Sequence, residues 1–207
     1  MVKVLKTAKT KLNNKIELLG NDNHKNILVI GVFHGDEPQG KFLIDEYLKI
    51  NPNSQLLFIP CLNPDGMAID TRTNSNGVDL NRNFPTKNWE LTERNDSFGG
   101  EISASEIETK FLIDVINEYK PVAVLTLHAP FKVVNYDGPA DEIAEKIGRI
   151  ICYPVAASIG YPTPGSFGTY MGVERNIPTI TLELDEECPV QDLIEPVHKI
   201  FELFEKI

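Results

Sequence analysis

The sequence predicts an α/β fold: a single-domain, three-layer structure over residues 1–207, with a mixed, mostly parallel β-sheet flanked by helices on both faces. Three observations predict it. Short apolar runs rich in β-branched residues alternate with amphipathic stretches along the chain. No repeat, low-complexity segment or long Pro/Gly/Ser linker divides it. Its 207 residues suit one core large enough to need no disulfide staples.

The strand expectations run in order. Ile27–Phe33, Gln55–Pro60, Pro121–Leu127 and Thr179–Leu184 read as buried strands, each short, apolar and bounded by turn residues. The helices fall between and after them. Ser103-Ala104-Ser105-Glu106 has the spacing of a capping box, and Ile107, Phe111, Leu112, Val115 and Ile116 follow at helical intervals, so a helix is expected from about Ser103. A second covers Asp141 to Ile150, with Ile143, Ile147 and Ile150 on one side. The last runs from about Gln191 to the C-terminus, with Leu193, Val197, Ile200 and Phe204 inward. Proline fits best in a first turn, so the regular part of this helix is expected to begin near Pro196.

Composition excludes several classes of function. The formal net charge is −10, against the basic face a nucleic-acid partner requires. Lys3, Lys6, Lys9, Lys11 and Lys15 enclose no apolar stretch, so the N-terminus does not read as a secretory signal. No segment approaches the roughly 20 apolar residues of a membrane span. Cys61, Cys152 and Cys188 include no C-x-x-C pair, which disfavours a disulfide framework or a cysteine metal site. A cytoplasmic protein with neither membrane nor nucleic-acid partner is the expectation.

The chemistry gathers at strand ends, where open α/β sheets place their sites. His34-Gly35-Asp36-Glu37 follows the first predicted strand. A chain turning sharply there through a glycine could aim an imidazole and a carboxylate at one point. His128 ends the third strand; alone it fits a satisfied core histidine as well as a ligand. With His34 and Glu37 it completes an N, O, N set, the arrangement that holds a catalytic zinc and leaves one position open. Asp36, between two such ligands, reads as supporting them. The other histidines read differently: His24 as a solvated turn residue and His198 as a boundary position on the last helix. Glu183 lies inside the fourth strand, where an ionisable side chain is costly unless paired or functional. Asp185, Glu186 and Glu187 follow at once, so composition does not single it out. Between residues 63 and 85 a polar, turn-rich segment carries Arg72 and Arg82. It reads either as a surface loop or as an anion-recognition element, since guanidinium forks suit carboxylates.

Four stretches carry a family resemblance: His34-Gly35-Asp36-Glu37, Pro60-Cys61-Leu62-Asn63-Pro64-Asp65-Gly66, Gly77 to Pro85, and Ser105-Glu106-Ile107-Glu108-Thr109. Together they resemble the zinc carboxypeptidase superfamily of carboxypeptidase A, in the family's order, over about residues 27 to 187. The short length, the compact Gly77–Pro85 segment and Pro164-Gly165-Ser166-Phe167 are most similar to the bacterial murein peptide amidase branch. The resemblance implies one zinc ion per chain (Zn2+), held by His34, Glu37 and His128. It implies Glu183 as the base that takes a proton from the attacking water, and Arg72 as the group that polarises the scissile carbonyl. Asn81 and Arg82 would hold the substrate's terminal carboxylate. The substrate-covering tyrosine is either Tyr161 or Tyr170. The implied substrate is a small peptide, murein tripeptide, cut at its γ-D-Glu–meso-diaminopimelate bond. A deacylase of N-acylated amino acids, resembling aspartoacylase or succinylglutamate desuccinylase, shares the H-x-x-E and the downstream histidine. The Asn-Pro-Asp-Gly and Gly77–Pro85 segments favour a peptidase over it.

Overall fold

The computed structural model describes all 207 residues. Eight strands form one sheet: β1 (Lys3–Lys9), β2 (Lys15–Gly20), β3 (Ile27–Gly31), β4 (Leu57–Ile59), β5 (Ala123–His128), β6 (Val133–Asp137), β7 (Val155–Ala156) and β8 (Thr179–Glu183). Their spatial order is β1-β2-β4-β3-β5-β8-β6-β7. The four central strands, β4-β3-β5-β8, run parallel. Antiparallel pairing attaches β1 and β2 at one edge and β6 at the other, giving the mixed sheet that the alternating pattern predicts.

The sheet is covered on both faces. Strand residues alternate sides, so Ile27 and Val29 of β3 enter one core while Leu28 and Ile30 enter the other. The first core packs α1 (Gln39–Ile50), α4 (Asp141–Ile151) and α5 (Ile194–Glu205) through Leu43, Ile147, Val197, Phe201 and their neighbours. The second packs α3 (Ile107–Tyr119) through Phe111, Leu112 and Val115, together with Phe84 and Phe167 from the loops. A short helix, α2 (Pro64–Ile69), follows β4. No helix is long and apolar enough to cross a membrane.

Several boundaries move for identifiable reasons. β3 stops at Gly31 rather than Phe33, because Val32 takes a positive φ of 53° and turns the chain. The helix expected from Ser103 starts at Ile107, and Glu106, its N-cap, makes no capping bond. The Glu106 carboxylate instead accepts from Asn74 and Asn76 of the loop segment 70–79, so the would-be capping box serves a tertiary contact. α5 starts at Ile194, with Pro196 in its first turn as proline requires. Its inward set, Leu193, Val197, Ile200 and Phe204, is buried as expected. His198 is not a boundary residue: it is buried, donates from Nε2 to Leu43 O (3.1 Å), and packs on Tyr47 and Phe201. The β1–β2 hairpin had no apolar run to announce it. Its lysine-rich edge is the charged kind that resists edge-to-edge association.

Glu108, in the first turn of α3, is 2% exposed and meets Asn74. Burial, with Glu106 and Asp65 nearby, pushes its pKa up from 4.5 to about 7. The folded state therefore binds this proton more tightly than the unfolded chain. The destabilisation is absent below about pH 4.5, grows between 4.5 and 7, and is complete above 7. Glu108→Gln is expected to stabilise the protein by ~1–3 kcal/mol at pH 8 and hardly at pH 4.5. Thermal unfolding of both proteins at the two pH values checks this; an equal shift at both would overturn it.

Candidate metal centre

The corner after β3 is built by backbone strain and close packing. A β-branched residue in the left-handed region, such as Val32, costs on the order of 1–3 kcal/mol. Its turn sends Phe33 into the core and His34 over the carboxyl end of the sheet. A backbone bond from Glu37 N to His34 O (3.2 Å) closes the next turn. Gly35 is needed for a reason other than the sharp turn expected of it: its φ is ordinary, but a Cβ there would overlap the backbone of Gly66 and Met67 in α2. Asn63 caps α2 and fastens it to this corner, its side chain accepting from Gly66 N while its amide donates to Phe33 O and Arg72 O.

The corner lies beside β5. His128 is the last residue of β5, and its register partner on β8 is Glu183. Glu37 sits between the two histidines, its Oε1 2.8 Å from His34 Nδ1 and its Oε2 3.0 Å from His128 Nδ1. All three residues are buried, and one ligand atom from each lies within 4.8 Å of the others. Two imidazole nitrogens and a carboxylate oxygen, all aimed at one point, form the donor set that zinc takes in catalytic sites. The neighbouring Glu183 Oε2 is buried with no hydrogen-bond partner, so a polar group remains available beside the triad. The residues fit a zinc-type metal.

Asp79 supports this cluster, a residue the sequence did not single out. It is wholly buried, and its Oδ1 lies 3.2 Å from His34 Nε2, on the far side of the ring from Glu37. A carboxylate there fixes ring orientation and raises ligand basicity. Asp36, expected in such a role, is exposed, and the hydrogen bonds of the ligand side chains go to other partners. The signal for Asp79 was its place two residues before Asn81 in the Gly77–Pro85 segment, where it caps a single 3-10 turn by accepting from Asn81 N. Burial opposes ionisation of Asp79 and Glu37. The adjacent His34, with Arg72 and Arg82 for Asp79 and His128 for Glu37, outweighs it and holds both pKa values low. Burial also disfavours a charged His34, but Asp79 and Glu37 on either side reverse that and raise its pKa.

The two arginines face the cluster from different directions. Arg72 clamps Asp79 Oδ2 through Nε (3.1 Å) and Nη2 (2.8 Å), which places Nη1 3.3 Å from His34 Nδ1 and 4.0 Å from Glu37 Oε1. Arg82 is anchored by Nη1 to Asn81 O (2.7 Å). Asn81 accepts from Phe167 N (2.9 Å), so its amide N–H groups remain free. Arg72, Asn81, Arg82, Glu183 and Tyr161 line one cleft with the three candidate ligands. Tyr170 is elsewhere: buried, with Arg175 stacked 3.4 Å over its ring. All seven residues singled out in the sequence for catalysis, substrate and metal are thus brought together.

A model of the zinc carboxypeptidase family matches residues 1–145. Murein peptide amidase A of Escherichia coli K12 is 33% identical over 170 residues, spanning 75% of this chain and 69% of that protein. The Vibrio campbellii protein of the same name is 34% identical over 179 residues, 78% of this chain and 70% of its own. The crystal structure of murein-tripeptide amidase from E. coli O157 superposes with a TM-score of 0.87 at 26% identity, covering 100% of this chain and 92% of that one. Carboxypeptidase A from Helicoverpa armigera shares the fold, with a TM-score of 0.74 at 18% identity over 99% of this chain and 66% of its own.

Asp79→Asn is expected to weaken metal affinity by ~10–100-fold while leaving the fold intact. His34→Ala or His128→Ala is expected to abolish stoichiometric binding. Competition against a chromogenic chelator measures both, and full metal content in either histidine variant would remove that residue from the ligand set.

Proposed function

The chain belongs to the zinc carboxypeptidase family and is a metallopeptidase, and on that footing we propose that it hydrolyses the γ-D-Glu–meso-diaminopimelate amide of murein tripeptide, next to a free carboxylate. The reading rests on one observation: the His34-Glu37-His128 triad, Glu183 with its unpartnered Oε2 and the Asn81–Arg82 pair share a single cleft. The substrate is inferred from the murein peptide amidases this chain resembles.

His34, Glu37 and His128 would hold the zinc. Bound there, zinc supplies Lewis acidity, acidifying water and polarising a carbonyl. Arg82 and the free amide of Asn81 receive the carboxylate of the leaving residue, a guanidinium fork and a neutral donor side by side. That contact fixes the scissile amide against the cluster and turns binding energy into positioning. Tyr161, half-exposed at the cleft, is the tyrosine placed to cover the bound peptide. Glu183 takes a proton from the attacking water and returns one to the departing amine. Burial raises its pKa, which moves this carboxylate toward the range where a base also serves as an acid near neutrality. Arg72 Nη1 faces the developing oxyanion, held rigid by Asp79 so that little reorganisation is needed. A donor of this kind is worth about 3–4 kcal/mol in other hydrolases.

Glu183→Gln is expected to retain full metal and lose at least ~100-fold in turnover, Arg72→Ala to lose ~100–1000-fold. The assay is release of diaminopimelate from L-Ala-γ-D-Glu-meso-diaminopimelate, with N-acetylaspartate and succinylglutamate in parallel. A near-wild-type rate for Glu183→Gln would sink the base assignment. Turnover of the acylated amino acids and not the tripeptide would replace the peptidase substrate with a deacylase one.

A further inference from the structure

One motif of the sequence has no part in this scheme: Ser105-Glu106-Ile107-Glu108-Thr109, where α3 begins. Glu106 and Glu108 are buried, and neither lines the cleft. Buried carboxylates need donors, and that of Glu106 takes three. Asn74 Nδ2 (2.8 Å) and Asn76 Nδ2 (2.6 Å) donate to its Oε2, and Ser105 Oγ donates to its Oε1. These bonds outweigh burial and hold its pKa below the ordinary value, so Glu106 stays ionised. Glu108 meets Asn74 only at 3.3 Å, which leaves Glu106 the stronger grip.

Asn74 closes a turn whose two ends enter the site. Its N–H donates to Val78 O (2.9 Å), and its carbonyl accepts from Gly77 N (2.9 Å). Its Oδ1 accepts from Asn76 N (3.0 Å) and Val78 N (3.1 Å). Arg72 precedes this turn, Asp79 follows it, and the two are clamped to each other. The turn moves as one piece, and the Glu106 carboxylate fastens it to the start of α3. Ser75 Oγ, donating to Asp65 Oδ2 (2.8 Å), is a second tie. Glu106 holds the other arm of the site by its backbone: its N–H donates to Asn83 Oδ1 (3.2 Å), next in the chain to Arg82. A change of side chain therefore frees the Arg72 arm and spares the Asn81–Arg82 arm.

We propose that Glu106 is a positioning residue: through Asn74 and Asn76 its carboxylate sets where Arg72 meets the scissile carbonyl and where Asp79 meets His34. The proposal rests on the peptidase reading above, in which Arg72 faces the developing oxyanion, and deepens it. Glu106 touches neither substrate nor metal ligand. Its effect is on preorganisation, where a misplacement of about 1 Å costs ~100-fold in rate.

Glu106→Asp separates this role from a structural one. Glu106 is the N-cap of α3 and makes no capping bond, whereas aspartate is a preferred N-cap. The substitution favours the helix while withdrawing the carboxylate by one methylene from Asn74 and Asn76. On the zinc-loaded protein and the murein tripeptide, kcat is expected to fall ~10–100-fold, with KM within ~3-fold because the bond to Asn83 is kept. Tm is expected not to fall. Glu106→Gln keeps an acceptor for both amides and is expected to stay within ~3-fold of wild type. In an Arg72→Ala background Glu106→Asp is expected to cost less than ~3-fold more, since the group it positions is gone. An unchanged kcat in Glu106→Asp, or the same loss with and without Arg72, overturns the proposal. Should the wild type not cut the tripeptide, the substrate reading fails separately. The zinc affinity of Glu106→Asp, by chelator competition, then decides through Asp79: a ~10-fold weakening is expected, and unchanged affinity overturns the proposal.

Discussion

Glu37 wedged between His34 and His128 is the constraint on which the rest of the site depends. A buried carboxylate touching two imidazoles is tolerable only among compensating charges. The surrounding chain supplies them in layers. Asp79 balances His34 from the other side, Arg72 balances Asp79, and Asp96 O accepts from Arg72 Nε at the rim. Each layer brings a further piece of the segment 63–85 down onto the sheet edge, so the loop that carries Asn81 and Arg82 is positioned by the same electrostatics that organise the triad. The site and the loop over it are one network.

The sheet explains why the triad can assemble. β3 leads through α1 to β4 on one side, and β5 pairs with β3 on the other, so the ends of β3 and β5 open on a gap where the connections diverge. His34 leaves from one lip and His128 ends the other. Because β8 runs parallel to β5 in register His128 with Glu183, the base stands one strand spacing, ~4.8 Å, from a ligand. Val32 concentrates the strain of this arrangement in one residue. The packing of Gly35 on α2 and the bonds of Asn63 are what hold that conformation.

Much of this was legible in the sequence, for a physical reason. The central parallel strands are buried on both faces, so they appear as uninterrupted apolar runs, and their ends mark His34, His128 and Glu183. The site residues sit in motifs whose spacing the chemistry fixes. What escaped was set by tertiary contact. Asp79 looked like one more turn residue, because nothing local says that its carboxylate meets an imidazole 45 positions away in the chain. Asp36 looked better placed by sequence, yet neighbours of a residue in a turn point elsewhere. Glu106 had the spacing of a cap but was drawn to Asn74 and Asn76. β6 and β7 are short and half-polar, without the periodicity that betrays a strand.

That missing strand shapes the cleft beside the base. The four central strands could hold the triad and the base without β6. The antiparallel β6 extends the face of β8 beyond Glu183 into a surface two strands wide, and a surface can discriminate where a single strand end cannot. Antiparallel pairing sets Val133, Asn135 and Asp137 opposite Glu183, Thr181 and Thr179, so the polar face of β8 continues onto β6. Zinc, the base and the Asn81–Arg82 pair recognise what every peptide with a free terminal carboxylate shares. Discrimination among such peptides has to come from groups outside that set, and the cleft extends past it onto β6 and the segment 157–168.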